Sequence, residues 1–271
     1  MSVSKPHCAL VILGHGSTEN PDSSQPCWDH AEAIAASGQF GGVYCAFWKE
    51  EPSFRQVWPM IEEEEVYLVP NFISEGYFTR QVLPRELELT GHTTLRDGRR
   101  LHYCDPVGIH PAMASLLTKR ATEILDPGIR AEESSLIIVG HGTGLDPKST
   151  EAVKAQVAAI RESGAPFARV LDAYMEEAPF VADWRTLTDT PNVIVVPFFI
   201  ADGLHSYQDI PVLLGIEGEP SAAASQREVF RLNPHRIADR TLYYTSAIGT
   251  DPSLAEILVD QVAYFDSHYR A

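Results

Sequence analysis

The sequence lacks the features that mark several common protein classes. Its four cysteines, Cys8, Cys27, Cys45 and Cys104, all fall in the first half, and no two form a C-x-x-C pair. A zinc ribbon, a redox dithiol or a disulfide framework is therefore not expected in a chain of 271 residues. Small buried thiols in a reducing compartment are. Basic charge is scarce: 21 Lys and Arg face 37 Asp and Glu, leaving a formal net charge of −16. Phosphate contacts need a basic face, so a general nucleic-acid binder is disfavoured. No apolar stretch approaches the roughly 20 residues that span a membrane. Met1 to Leu13 holds a short apolar run with no small-residue cleavage site behind it. The expected location is the cytoplasm. The element Gly14-His15-Gly16 fits neither G-x-G-x-x-G nor the Walker A loop, and no G-x-S-x-G elbow occurs. Neither a nucleotide-binding enzyme nor a serine hydrolase is indicated.

What the chain does have is an ordinary globular composition, 44% hydrophobic and 21% charged, and an internal repeat. Val11-Ile12-Leu13-Gly14-His15-Gly16-Ser17 returns as Ile137-Ile138-Val139-Gly140-His141-Gly142-Thr143. Ala46-Phe47 and Pro52 return as Ala173-Tyr174 and Pro179, and Val66 to Pro84 returns as Val193 to Pro211. Leu101, Tyr103, Gly108 and Pro111 then match Leu242, Tyr244, Gly249 and Pro252. Four blocks in one order make the chain a duplication. The polar stretch Asp126 to Ser135 reads as the linker, placing the lobes at 1–130 and 131–271. A longer connection between Pro211 and Leu242 reads as an exposed loop in the second lobe.

Each half alternates strand and helix. Ala9 to Leu13, Val43 to Phe47 and Val66 to Val69 are short continuous apolar runs, as strands covered on both faces require. Leu136 to Val139, Ala168 to Tyr174 and Val193 to Val196 play that part in the second half. Pro147 to Gly164 puts Val153, Val157 and Ile160 on one helical face. Asp251-Pro252 reads as the N-cap and first-turn proline of a last amphipathic helix carrying Leu254, Leu258 and Phe265. Glu62 to Glu65 reads as a solvated helix end. The expected fold is α/β, two similar doubly wound parallel-sheet lobes.

Open parallel sheets bind ligands beyond the carboxyl ends of their strands. There the second half carries His141, Glu176 with Glu177, and His205. Imidazole and carboxylate are the usual ligands of a borderline divalent metal. A lone histidine after a strand is more often structural; three donors converging on one edge shift the balance towards a site. The first half keeps His15 but has Lys49 where Glu176 stands and Phe78 where His205 stands. The second lobe reads as active and the first as a degenerate copy. His7, His30, His92, His102, His235 and His268 have no spacing partners and read as surface or structural.

These blocks resemble the class II tetrapyrrole chelatases, specifically the CbiX-type sirohydrochlorin cobaltochelatases. The repeated strand-Gly-His-Gly-Ser/Thr opening carries the resemblance, as does Val195-Val196-Pro197-Phe198-Phe199-Ile200-Ala201-Asp202-Gly203-Leu204-His205 leading into Asp209-Ile210-Pro211. Tyr103 to Pro111 and Tyr244 to Pro252 are similar to that family's closing strand and turn; Gly215 to Arg240 is unmatched. The resemblance implies a chelatase-like fold and insertion of Co2+ into sirohydrochlorin, for cobalamin or sirohaem. Fe2+ and Ni2+ suit the same N/O donors, and no organic cofactor is implied. It maps two facing histidines onto His141 and His205, and a glutamate onto Glu176, with Glu177 the neighbouring alternative. Insertion removes two pyrrole N–H protons, and an imidazole largely neutral near pH 7 can ligate the ion or take a proton. Thr143, Ser17, Arg80 and Lys148 lie beside the repeated motifs and are candidates to hold the macrocycle's carboxylates. The rival reading is a metal or tetrapyrrole carrier without turnover; a hydrolase using His141 lacks a nucleophile motif. With both lobes in one chain, the expected state is a monomer.

Overall fold

The computed structural model describes residues 4–142, 147–218 and 228–270. The chain folds into two compact units, Met1–His110 with Pro252–Ala271, and Pro111–Asp251. The first unit contains β1 (Lys5–Gly14), α1 (Gln25–Ala36), β2 (Phe40–Phe47), β3 (Glu65–Pro70), α2 (Leu83–Glu86), β4 (Thr93–Arg96) and β5 (Arg99–Tyr103). The second contains α3 (Met113–Glu123), β6 (Ser134–Gly140), α4 (Lys148–Glu162), β7 (Arg169–Tyr174), α5 (Trp184–Leu187), β8 (Asn192–Pro197), α6 (Ile210–Leu214), α7 (Glu228–Arg231), β9 (His235–Ile237) and β10 (Arg240–Tyr244). The last helix, α8 (Leu254–His268), belongs to the first unit.

Both sheets have the same topology, with strand orders β2-β1-β3-β5-β4 and β7-β6-β8-β10-β9. Four strands of each run parallel; the outer strand, β4 or β9, is antiparallel to its neighbour. The expected α/β lobes are present, each with this antiparallel edge added. β6 and β8 are buried along their whole length, which explains why their sequences are unbroken apolar runs. In α4, Val153, Val157 and Ile160 are buried as the spacing predicts. On the opposite face of the second sheet, Val139, Val193, Val195 and Tyr244 pack with Trp184, Ile210 and Leu214. Burying each large apolar side chain contributes about 1.5–3 kcal/mol.

The units do not divide where the repeat suggests. Asp126 to Ser135 lies inside the second unit, and residues 111–130 belong there with α3, which packs on β8 and α4. The first sheet takes its covering helix from the other end of the chain, α8, which packs on α1 and β3. Leu254, Leu258, Val262 and Phe265 are buried along it. Polar contacts fix its end: Tyr67 donates to Asp266 at 2.7 Å, Lys5 pairs with Asp266 at 2.6 Å, and Arg270 pairs with Glu65 at 2.6 Å. Sequence order says which helix follows a strand, and the buried faces decide which sheet it covers.

Two local expectations are corrected as well. Asp251 does not cap α8, whose cap residue is Ser253. Its buried carboxylate accepts from Arg120 Nε at 3.0 Å, a charged hydrogen bond stronger than a neutral cap contact. Glu65 is no helix end; it opens β3 and binds Arg100 and Arg270. Of the long connection after Pro211, residues 219–227 lie outside the described residues, and α7 and β9 occupy the rest. All four cysteines are free and buried. Burial pushes the thiols up, Cys8 to about 11 and Cys27 to about 12, so neither is a ready nucleophile.

Candidate metal-handling site

His141 follows β6 directly, a strand flanked by β7 and β8 in the second sheet. Gly142 has φ +71°, and a Cβ there would lie 2.8 Å from Glu177 Cγ and from Tyr174 Cβ. Only glycine lets the chain turn this tightly after the strand. The turn brings the Gly142 carbonyl to 3.0 Å from His141 Nδ1. A carbonyl only accepts, so Nδ1 carries the hydrogen and Nε2 keeps its lone pair.

β7, adjacent to β6, delivers the carboxylates. The Met175 and Glu176 amides both donate to the His141 carbonyl at 3.1 Å, which holds Glu176 next to the imidazole. Its Oε1 is 3.7 Å from His141 Nε2. Glu177 takes a different partner, accepting from the Thr150 hydroxyl on α4. Of the two glutamates the sequence left open, Glu176 is the one beside the ring.

β8, on the other flank of β6, supplies the second imidazole through a loop held at several points. The Gly249 amide donates to Phe199 at 2.9 Å, and a Cβ on Gly249 would sit 1.9 Å from the Ile200 carbonyl. The repeat preserves a glycine here because two backbones touch. Asp202, 8% exposed, accepts from the Ala247 amide at 2.8 Å. His205–Asp209 then forms one turn of π-helix. Tyr244 donates to the Ser206 carbonyl at 2.8 Å; burial, with Asp202 near, raises its phenol well above the usual range and keeps it protonated.

Within that turn His205 Nδ1 lies 2.7 Å from Asp209 Oδ2. The carboxylate accepts, so Nδ1 again carries the hydrogen and Nε2 is the available atom. The rings of His141 and His205 stand 4.9 Å apart, centre to centre, at 77°. Their side chains are 35% and 47% exposed, open to solvent yet anchored. Asp209 carries no role in the sequence reading. The i,i+4 spacing from His205 was its signal, and that spacing pairs residues only once the segment is known to be helical. Among the described residues no group of three His, Cys, Asp or Glu donors is already set around a metal-sized gap.

The remaining candidates are placed as follows. Lys148 opens α4 and pairs with Glu151 at 2.7 Å. Ser17 and Arg80 lie in the first unit: the Ser17 hydroxyl accepts from the Glu19 and Asn20 amides, and Arg80 pairs with Glu75 at 2.6 Å. Thr143 lies outside the described residues.

The matching edge of the first unit keeps the backbone. His15 Nδ1 is 2.8 Å from the Gly16 carbonyl, Lys49 donates its amide to the His15 carbonyl, and Tyr103 donates to Thr79 at 2.6 Å as Tyr244 does to Ser206. At the place of Asp209 stands Val82, four residues after Phe78.

The CbiX family model matches residues 9–124 and again 135–264. The chain belongs to the CbiX family. A probable sirohydrochlorin cobaltochelatase of Halobacterium salinarum is 39% identical, over 94% of this chain and 90% of that one. A sirohydrochlorin cobaltochelatase of Methanopyrus kandleri is 29% identical over 47% of this chain and 94% of its own length, so a single CbiX repeat spans it. A Deinococcus radiodurans structure, described as similar to chelatases with two additional novel domains, superposes with a TM-score of 0.77 at 27% identity. It is matched over 94% of this chain and 54% of its own, so the chain spans about half of that protein. In the described residues of this CbiX chain, no helix is long and apolar enough to cross a membrane.

Proposed function

We propose that the chain inserts a divalent metal ion, Co2+ first among candidates, into sirohydrochlorin, with His141, His205 and Glu176 as the working groups. One observation carries this: two imidazoles 4.9 Å apart, each with Nδ1–H committed to an acceptor and Nε2 left over. Two lone pairs at the open edge of a sheet can take an ion from solvent, with Glu176 adding a carboxylate beside one of them. The named relative at 39% identity supports the substrate and the metal.

The chemistry balances without a further reactant. The metal-free macrocycle loses two N–H protons as the dication enters, and two protons leave to water. Each Nε2 that releases the ion becomes free to accept one of those protons. Glu176, exposed beside His141, can pass it on. Thr143 and Lys148 are proposed to meet the macrocycle's carboxylates beside these groups, and Lys148 does so by exchanging Glu151 for substrate. Ser17 and Arg80 are the corresponding candidates on the first unit's own edge, where Arg80 would exchange Glu75.

The test is an anaerobic absorbance assay of sirohydrochlorin with Co2+, Fe2+ or Ni2+, with and without protein. Catalysed metallation, lost in His141→Ala and His205→Ala, is expected. Stoichiometric ion binding with no gain in rate would instead make the protein a carrier.

A further inference from the structure

Beside α2 the first unit has a cavity of about 570 Å3, lined by Arg55, Trp58, Arg85, Glu86, Glu88 and Arg96. Arg55 and Trp58 come from the connection between β2 and β3, Arg85 and Glu86 from α2, and Arg96 from the end of β4. Three guanidinium groups thus surround one space in a chain of net charge −16. Arg55 and Arg85, both exposed, share the Glu86 carboxylate at 3.4 Å and 2.9 Å. One carboxylate cannot accept from every donor of two five-donor forks, and one positive charge is left over. Arg96 is held in place. It donates to the Leu87 carbonyl at 3.0 Å, pairs with Glu88 at 3.5 Å and Asp97 at 3.4 Å, and lies over the Trp58 ring, 5.2 Å from its centre.

The repeat supplies a control. Counting by it, Arg55 corresponds to Ala182, Arg85 to Val212, Glu86 to Leu213 and Arg96 to Ile237. The second unit closes this corner with apolar groups: Leu213 and Ile237, with Val229 and Phe230 of α7, pack on the core around Trp184 and Leu214. That is what closing the core requires. The first unit, on the same backbone, keeps charge and space instead.

We infer that this cavity binds an organic phosphate ester of nucleotide type, with its phosphoryl oxygens on Arg55 and Arg85 and its flat body against the Arg96–Trp58 pair. Guanidinium forks match phosphoryl oxygens two at a time, and a phosphoryl group has oxygens enough to face two forks together. A guanidinium resting on an indole offers a flat surface to a heteroaromatic ring. The volume is far larger than an inorganic phosphate needs and falls in the range of small-molecule sites. Side chains do the holding here, so the site needs no glycine-rich phosphate loop. The inference does not depend on the metal chemistry of the second unit.

The probe is ADP, titrated into the full chain by calorimetry at low salt without added metal. One ADP per chain is expected. Arg85→Ala should weaken it about 10–100-fold, the size of a lost hydrogen bond between charged groups, and Arg85→Lys should recover only part, because an ammonium lacks the fork. Arg55→Glu, at an exposed position, should weaken it at least about tenfold, less so at high salt. Arg185→Glu makes the same charge change on the second unit and should leave the affinity as it was. Pyrophosphate, which lacks the ring, should bind about tenfold more weakly than ADP, the size of one stacking contact. ADP binding should persist in His205→Ala. No ADP binding by the wild type, wild-type affinity in Arg85→Ala and Arg55→Glu, an equal loss in Arg185→Glu, pyrophosphate binding as tightly as ADP, or a loss in His205→Ala would each overturn the assignment.

Discussion

The β6–β8 edge and the β1–β3 edge share a backbone and differ in what it displays. Both have a histidine after the first strand of the unit's sheet, β6 or β1, with Nδ1 on the next glycine's carbonyl, and both have a tyrosine holding the π-turn. The differences come as a set. Where His205 has become Phe78, its partner Asp209 has become Val82, and the neighbouring Glu176 has become Lys49. An imidazole and the carboxylate that sets its tautomer are one device, and leaving Asp209 beside an aromatic ring would strand a charge. The tyrosine, glycine and histidine contacts survive in both units because they hold the fold.

The sharpest way to break this comparison is His205→Ala, expected to lower cobalt insertion about 10²–10⁴-fold. An unchanged rate would make the two edges equally silent. Asp209→Asn should weaken cobalt binding about 10–100-fold, the range for a group that orients a metal ligand, with Asp209→Glu restoring part of it; Co2+ absorption bands report the change. A transplant of Lys49→Glu, Phe78→His and Val82→Asp should raise bound cobalt towards two ions per chain by titration calorimetry. It should also cost about 1–3 kcal/mol of stability, since Phe78 packs on Phe72.

The smallest effect concerns acid. Partial burial alone would raise the Glu65 carboxyl, but hydrogen bonds from Arg100, Cys8 and His102, with the Arg270 charge, hold it at about 2. An ordinary glutamate in the unfolded chain sits near 4.3. The folded state therefore binds fewer protons, and this stabilisation is complete above about pH 5 and lost as pH falls through 2. Burial lowers His102 and His110 below the usual imidazole value, so acid works against the folded first unit through them too, beginning nearer neutrality. Glu65→Gln should flatten the acid limb of first-unit stability, read by hydrogen exchange of β3 against pH. An unchanged limb would remove Glu65 from this account.

Much of this was legible in the sequence. The repeat, the central strands and the convergence of His141, Glu176 and His205 follow from apolar runs and from where parallel strands end. The edge strands β4 and β9 were not: Thr93–Arg96 and His235–Ile237 are short and largely polar, with no apolar alternation to betray them. The choice between Glu176 and Glu177 turned on which amide reaches the His141 carbonyl and which carboxylate reaches Thr150, contacts that join different strands and helices. Asp209 needed the π-turn. The exchange of α3 and α8 was hidden because both helices carry the same amphipathic pattern, and that pattern does not name the sheet it will cover.

That exchange bears on how the chain is made. A ribosome releases β1 to β5 early, yet the surface that α8 seals stays uncovered until Pro252–Ala271 has emerged. The unit begun first is finished last, so a stall or a stop codon near the end harms the start of the protein more than the middle. Synthesis that ends early leaves a bare apolar sheet for chaperones or proteases to find.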